Sequence, residues 1–292
     1  MTLSYGLRWE YERPTTERFN RSVEAFDASA VSPITAQAMA NYAANPAAGI
    51  PPANFRVMGG LTFEGINGGT HALWTSPKTD FMPRFGFAYA LAPKTVLRGG
   101  YGIFYDQLGI TRQSVIQTGF SATTTFNPTL NNGVSFIANL TNPFPSGINQ
   151  PTGASLGLAT YLGQGISFFP QNPSAPYVQR WQIALERELP LQSTLQVAYY
   201  ASRGTDLLIS RDYNTLPAQY LSKLPVRDPA TISYVTAAVA NPFYPLLPGT
   251  SLSGATVARS QLLQPFPQFT SVAANTNQGY SFYNSMQTVF RK

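Results

Sequence analysis

The chain has 292 residues with 19 Lys and Arg against 13 Asp and Glu, a net charge of +6, one histidine and no cysteine. Disulfides, thiolate metal sites and cysteine nucleophiles are excluded, and the basic residues form no run of the kind that grips nucleic acid. Charged residues are only 11% of the chain, below the ~25% usual in soluble domains, yet no apolar run of about eighteen residues offers a membrane helix.

The first element is read over residues 3–13, where Leu3, Tyr5, Leu7, Trp9 and Tyr11 alternate with Ser4, Gly6, Arg8, Glu10 and Glu12. A period of two defines a strand with two unlike faces, because a helix would separate Tyr5 from Leu3 and Leu7. Strands at 81–91 and 95–106 follow, joined by Ala92, Pro93 and Lys94 as a hairpin. Their apolar face carries Phe81, Phe85, Phe87, Tyr89, Leu97, Tyr101, Ile103 and Tyr105; Arg84, Arg98, Gly100, Gly102 and Asp106 lie opposite. A second hairpin joins 177–189 to 194–204 across Pro190 to Ser193, with Trp181, Ile183, Leu185, Leu195, Val197 and Tyr199 against Arg180, Gln182, Glu186, Gln196 and Ser202. The last strand, 280–291, sets Tyr280, Phe282, Met286 and Phe290 against Tyr283, Ser285 and Gln287, although Asn284 and Thr288 share the apolar parity.

Between these six strands lie loops at 14–80, 107–176 and 205–279, many times the ~4–6 residues of an ordinary connection. If the two short turns lie on one side of a membrane, alternation sends every long loop to the other. That is the arrangement of short periplasmic turns and long extracellular loops in an all-β, antiparallel, up-and-down transmembrane β-barrel. Strands of about 10–13 residues suit a tilted crossing of ~9–11 residues better than the ~5–6 of soluble sheets. The apolar face is then expected to meet lipid, with Tyr and Trp near the interfaces, and the charged face to line a hydrated lumen. The alternative is a secreted β-sandwich that binds carbohydrate, its apolar face a core and its charged face in water.

Six strands cannot close a membrane barrel, because an open edge in lipid leaves backbone groups unsatisfied. The chain is therefore expected to be a fragment of a longer barrel, without a signal peptide of its own. The net charge reads as scattered solvated side chains, attraction to anionic lipopolysaccharide being the other reading.

Several phrases carry a family resemblance: Leu3-Ser-Tyr-Gly-Leu-Arg-Trp-Glu-Tyr, Pro83-Arg-Phe-Gly-Phe-Ala-Tyr, Arg98-Gly-Gly-Tyr-Gly-Ile-Phe-Tyr-Asp, Gln179-Arg-Trp-Gln, Val197-Ala-Tyr-Tyr-Ala-Ser-Arg-Gly-Thr, Gln264-Pro-Phe-Pro-Gln-Phe and Tyr283-Asn-Ser-Met-Gln. In this order the chain resembles the Oar-like subgroup of TonB-dependent outer-membrane receptors. That resemblance implies a piece from the later part of a barrel that takes up a nutrient (carbohydrate, peptide or chelate). Its implied partners are outer-membrane lipid and lipopolysaccharide, the remaining strands, a plug domain and, through the N-terminal part, the TonB complex. The plug, the regulatory-like N-terminal domain and the TonB-coupling motif of that family are expected to lie outside this piece. A passive porin-like or adhesive barrel is the alternative function.

No catalytic, cofactor-binding or metal-binding residue is assigned, and the substrate-contacting residues are left open. His71 stands alone after Asn67-Gly68-Gly69 and reads as a solvated loop residue. Glu10 and Glu12 share their face with Arg8 and read as mixed wall charge rather than an acid/base pair; Ser202-Arg203-Gly204 has no histidine partner. Gly99, Gly100 and Gly102 lie inside a strand, which rules out a phosphate-binding turn and points to local curvature. Aromatic loop phrases such as Thr141-Asn-Pro-Phe-Pro and Asn241-Pro-Phe-Tyr-Pro are expected to pack loop on loop. Residues 36–44 are expected to form a short helix capped by Asp27, Ser29 or Ser32.

Overall fold

The computed structural model describes residues 1–112 and 114–292. In chain order the elements are β1 (Thr2–Glu10), β2 (Val23–Val31), α1 (Thr35–Ala44), β3 (Met58–Phe63), β4 (Asp80–Ala92), β5 (Thr95–Tyr105), α2 (Leu108–Thr111), β6 (Gly165–Phe168), β7 (Tyr177–Leu189), β8 (Ser193–Asp212), α3 (Pro229–Thr236), β9 (Ala238–Ala240), β10 (Thr256–Ala258), α4 (Arg259–Leu263) and β11 (Ser271–Arg291). The principal sheet has the order β1-β4-β5-β7-β8-β11-β6 and does not close on itself. Every pairing in it is antiparallel except β11 with the short β6.

Register aligns the faces across the sheet. Tyr5 pairs with Phe85, Phe85 with Tyr101, Tyr101 with Trp181 and Trp181 with Ala201, so the odd-numbered apolar residues of five strands form one surface. β8 then pairs Tyr199 with Met286 and Leu195 with Phe290. The even parity of β11 thereby joins the odd parity of its neighbours. This apolar face is uncovered: Tyr5 is 90% and Leu7 70% exposed. Among the described residues no second layer packs on it, which excludes the sandwich, whose apolar face would be a core.

Two polar groups on that face are paired side chain to side chain. The Tyr199 hydroxyl donates to Asn284 Oδ1 at 2.7 Å and the Tyr101 hydroxyl to Gln179 Oε1 at 3.0 Å. The first bond accounts for an amide standing at an apolar parity in β11. Near the upper rim the Trp9 indole N–H donates to the Lys78 carbonyl at 3.0 Å, an aromatic body with one wet end. Arg203, absent from the sequence reading of either face, lies over Phe282 with its guanidinium 5.2 Å from the ring centroid.

Both hairpin turns use left-handed backbone. Ala92 pairs with Thr95 around Pro93 and Lys94 (φ 63°), and Leu189 pairs with Ser193 around Pro190, Leu191 (φ 63°) and Gln192 (φ 56°). Each turn is one residue shorter than the sequence indicates. The Glu188 amide donates to the Lys94 carbonyl at 2.9 Å, tying the two turns together.

The regions expected to be long loops are largely folded. β8 and β11 run 20 and 21 residues, well past the ~9–11 that cross a bilayer, and their upper halves carry a packed layer. That layer also holds β2 with β3, β9 with β10, α1, α3 and α4. Its core gathers residues from all three long segments, among them Tyr42, Phe55, Leu61, Leu162, Phe243, Phe269 and Val272. Tyr42 stacks on Phe55 at 4.1 Å between centroids, and its hydroxyl donates to the Ile50 carbonyl at 2.7 Å. The helix expected at 36–44 is α1, but its capping differs: Ile34 is the N-cap, with no side-chain cap bond. Asp27 instead accepts from the Ser29 amide and hydroxyl at 2.9 and 2.7 Å within β2, and Ser32 offers its backbone carbonyl to the Thr35 amide at 2.9 Å.

Candidate functional site

The chemistry-bearing surface is the even-numbered face of the sheet. One row across it reads Gly6, Arg84, Gly102, Arg180, Ser202 and Tyr283, each paired with the next by strand register. The row one step towards the turns reads Ser4, Gly86, Gly100, Gln182, Tyr200 and Ser285. In the first row small residues alternate with long ones, and the second is small from β1 to β5, so the wall is grooved rather than filled.

The glycines decide where the space lies. A Cβ on Gly102 would stand 3.0 Å from the Phe104 ring, because that ring leans across the position. Phe104 therefore occupies the place of the missing side chain, with Arg84 on one side at 4.9 Å from guanidinium carbon to ring centroid and Arg180 on the other at 5.7 Å. Gly99, on the opposite face, is covered in the same manner: a Cβ there would meet the Phe87 ring at 2.3 Å. The glycines are thus packing slots for cross-strand or adjacent rings, a more specific role than curvature alone.

A cavity of 630 Å³ opens above this row, lined by Arg84, Phe104, Arg180, Gln182, Tyr200 and Tyr283 among others. It shares Arg84 and Gln182 with a second hollow of 410 Å³ beside Ser4 and Gly6, and Phe104 and Arg180 with a third of 220 Å³ beside Tyr105 and Asp106. Together they make a trough spanning six strands of the sheet, β1, β4, β5, β7, β8 and β11. Toward the turns Arg98 faces Glu186 at 3.7 Å, and Arg8 pairs with Glu10 near the opposite rim. Between those pairs, Arg84 and Arg180 have no carboxylate within 4.0 Å among the described residues.

Each residue weighed in the sequence takes a structural place. His71 Nδ1 lies 2.8 Å from Asn20 Oδ1 in the layer. Glu10 and Glu12 diverge: Glu10 joins Arg8, while Glu12 accepts from the Leu108 and Gly109 amides at 2.7 and 2.9 Å. Ser202 belongs to the grooved wall. Phe243 of the Asn-Pro-Phe-Tyr-Pro phrase is wholly buried, whereas Phe144 of Thr-Asn-Pro-Phe-Pro meets Phe126 edge-on at 6.3 Å in an outlying lobe. The Gln264-Pro-Phe-Pro-Gln-Phe phrase is an anchor: Asn214 Nδ2 donates to the Phe266 and Phe269 carbonyls at 3.0 and 2.8 Å, and Asn214 Oδ1 accepts from the Phe266 amide at 2.8 Å.

Two buried charges in the layer stand apart from the trough. Burial, with Glu17 and Glu24 adding repulsion, raises the Glu64 carboxyl to about 7. Arg112 is 1% exposed, donates to the Pro170 carbonyl at 2.9 Å and lies between Trp74 and Phe169; burial lowers its guanidinium to about 10.

No curated protein and no solved structure matches the chain. A family model described as "Outer membrane beta barrel domain" matches residues 1–292. An uncovered apolar face, a grooved polar face and long connections gathered at one end are what such a domain needs in lipid. The chain belongs to the outer membrane beta barrel domain family, and its place is the bacterial outer membrane.

Proposed function

We propose that the chain is part of the barrel of an Oar-like TonB-dependent receptor that takes up a nutrient across the outer membrane. The observation that carries the reading is the trough: a continuous polar path on the face turned from lipid, below a folded layer at the extracellular end. In this mechanism the layer meets the ligand first, a plug supplied by the rest of the protein moves, and the ligand passes along the grooved wall. Binding and passage need no bond-making, in keeping with a non-enzymatic role. The two open edges, β1 on one side and the lower part of β11 on the other, would be paired by the remaining strands, since unpaired edge groups in lipid cost several kcal/mol each.

The test has two parts. The reading frame around the chain is expected to encode a plug and a short energy-coupling segment upstream, and the full-length receptor is expected to bind the periplasmic domain of TonB. A frame with no plug, or a full-length protein indifferent to TonB, would favour the passive or adhesive barrel instead.

A further inference from the structure

We infer that the middle of the inner wall is a binding site for the anionic group of a small solute, a carboxylate or a phosphate, gripped by Arg84 and Arg180 on either side of Phe104. This deepens the transport reading and rests on it, because it assigns a chemical class to the solute that moves along the trough.

Geometry carries the inference. Arg84 and Arg180 sit on β4 and β7, one strand either side of Gly102, so their backbones are roughly 10 Å apart at ordinary strand spacing. Gly102 has no side chain to fill that gap, and the Phe104 ring that lies there holds both guanidiniums against its edge or face, 4.9 and 5.7 Å from its centre. A guanidinium restrained on a ring loses little further freedom on binding, and its planar fork of five N–H donors matches the oxygens of a carboxylate or phosphate. Among the described residues neither side chain donates to a protein acceptor.

Charge along the wall sharpens the assignment. Of the other arginines on this face, Arg8 and Arg98 each have a glutamate beside them, Glu10 and Glu186, and Arg291 lies far from the trough at the turn end of β11, opposite Thr194. Asp80 and Asp106 lie at the rim, outside ion-pair distance of Arg84 and Arg180. The unneutralised pair thus stands midway between compensated charges, and a ring of uncompensated arginine in a lumen selects for anions. The 630 Å³ cavity beside it falls within the ~300–1,000 Å³ of small-molecule sites. Gln182, Tyr200 and Tyr283 in its lining add neutral hydrogen-bonding groups suited to the hydroxyls of a sugar acid or sugar phosphate.

The experiment is calorimetric titration of the full-length receptor in detergent with glucuronate and glucose 6-phosphate, each against glucose. Both anions are expected to bind more tightly than glucose, and the better of the two identifies the oxygen geometry preferred. In Arg84→Gln and Arg180→Gln anion affinity is expected to fall about tenfold or more, the loss of one charge-assisted contact, with glucose unchanged. Arg84→Lys keeps the charge and loses the fork, so an intermediate loss is expected; Arg98→Gln, whose parent is already paired, should stay within about twofold of the parent. Equal affinity for glucuronate and glucose in the parent, or an Arg98→Gln loss as large as that of Arg84→Gln, overturns the inference. So does a parent that ignores both anions while Arg84→Gln makes its plug protease-sensitive, which would give the arginines to a carboxylate of the plug. Anion binding without any TonB interaction would uphold the site and remove the transport reading; TonB interaction without anion preference would do the reverse.

Discussion

The lower sheet and the upper layer bury opposite kinds of residue, though one chain builds both. In the sheet, Leu7, Tyr5 and Ile183 stand open on a face with nothing packed on it; in the layer, Phe243, Phe269 and Val272 are fully enclosed. Hydrocarbon is the medium of the first and water that of the second. An apolar side chain in the sheet therefore gains little by packing against protein, whereas in the layer it must be covered to gain anything. The same contrast governs polar groups: the sheet satisfies them by paired tyrosines, as at Asn284, and the layer by buried amides that bridge segments, as at Asn214.

Substitutions at matched positions test this division. The largest effect is expected from Phe243→Ala, which should destabilise the layer by about 3–5 kcal/mol through the cavity it leaves. Limited proteolysis of the folded full-length protein should show the layer opening while the sheet stays protected; loss of both at once would mean that they form one cooperative unit. Ile183→Arg, at the middle of β7 on the apolar face, should cost roughly 2–4 kcal/mol in assembly. Its neighbour Gln182→Arg, on the inner wall, should be tolerated, and equal cost at the two positions would erase the assignment of faces.

Glu64 gives the comparison a pH axis. Its carboxyl rises from 4.5 to about 7 on folding, so the folded layer holds the proton more tightly than the unfolded chain. Stability from this group is full below pH 4.5 and is lost as pH rises through 7, an effect of ~3 kcal/mol. The layer's thermal unfolding should occur at lower temperature at pH 8 than at pH 5, and Glu64→Gln should flatten that difference. An unchanged slope in the variant would place the titration elsewhere. The smallest expected effect is that of Gly99→Ala, about 1 kcal/mol for displacing the Phe87 ring, read as reduced assembly yield with the layer's protection unaltered.

The sheet was legible because its two faces obey one rule along every strand, and period two survives in the sequence as plain alternation. Leu3 to Trp9 and Trp181 to Leu185 needed no partner to reveal their parity. The layer was not, because its core has no period: Phe55, Leu162, Phe243 and Phe269 come from segments distant in sequence, each contributing a few residues of irregular spacing. The helix cap failed for a related reason, since Ser29 and Asp27 had a closer use for their oxygens inside β2. The trough lay between these cases. Arg84, Gly102 and Arg180 meet only through register, and counting from the turn misleads, because Ala92 pairs with Thr95 but Ala90 with Val96. The irregularity between them restores the parity that the turn alone would break, so insisting on matched faces would have exposed it.

Among the described residues, β8 and β11 are the two strands that run from the turn end into the layer. Their ladder is interrupted where Gly279 faces Leu207, next to Asp206 in left-handed backbone, and a Cβ on Gly279 would strike Ile209 at 2.8 Å and the Leu207 carbonyl at 2.9 Å. The two longest strands thus tie the layer to the turn end of the sheet with their register broken at one glycine, where any side chain would have to displace both Ile209 and the Leu207 carbonyl.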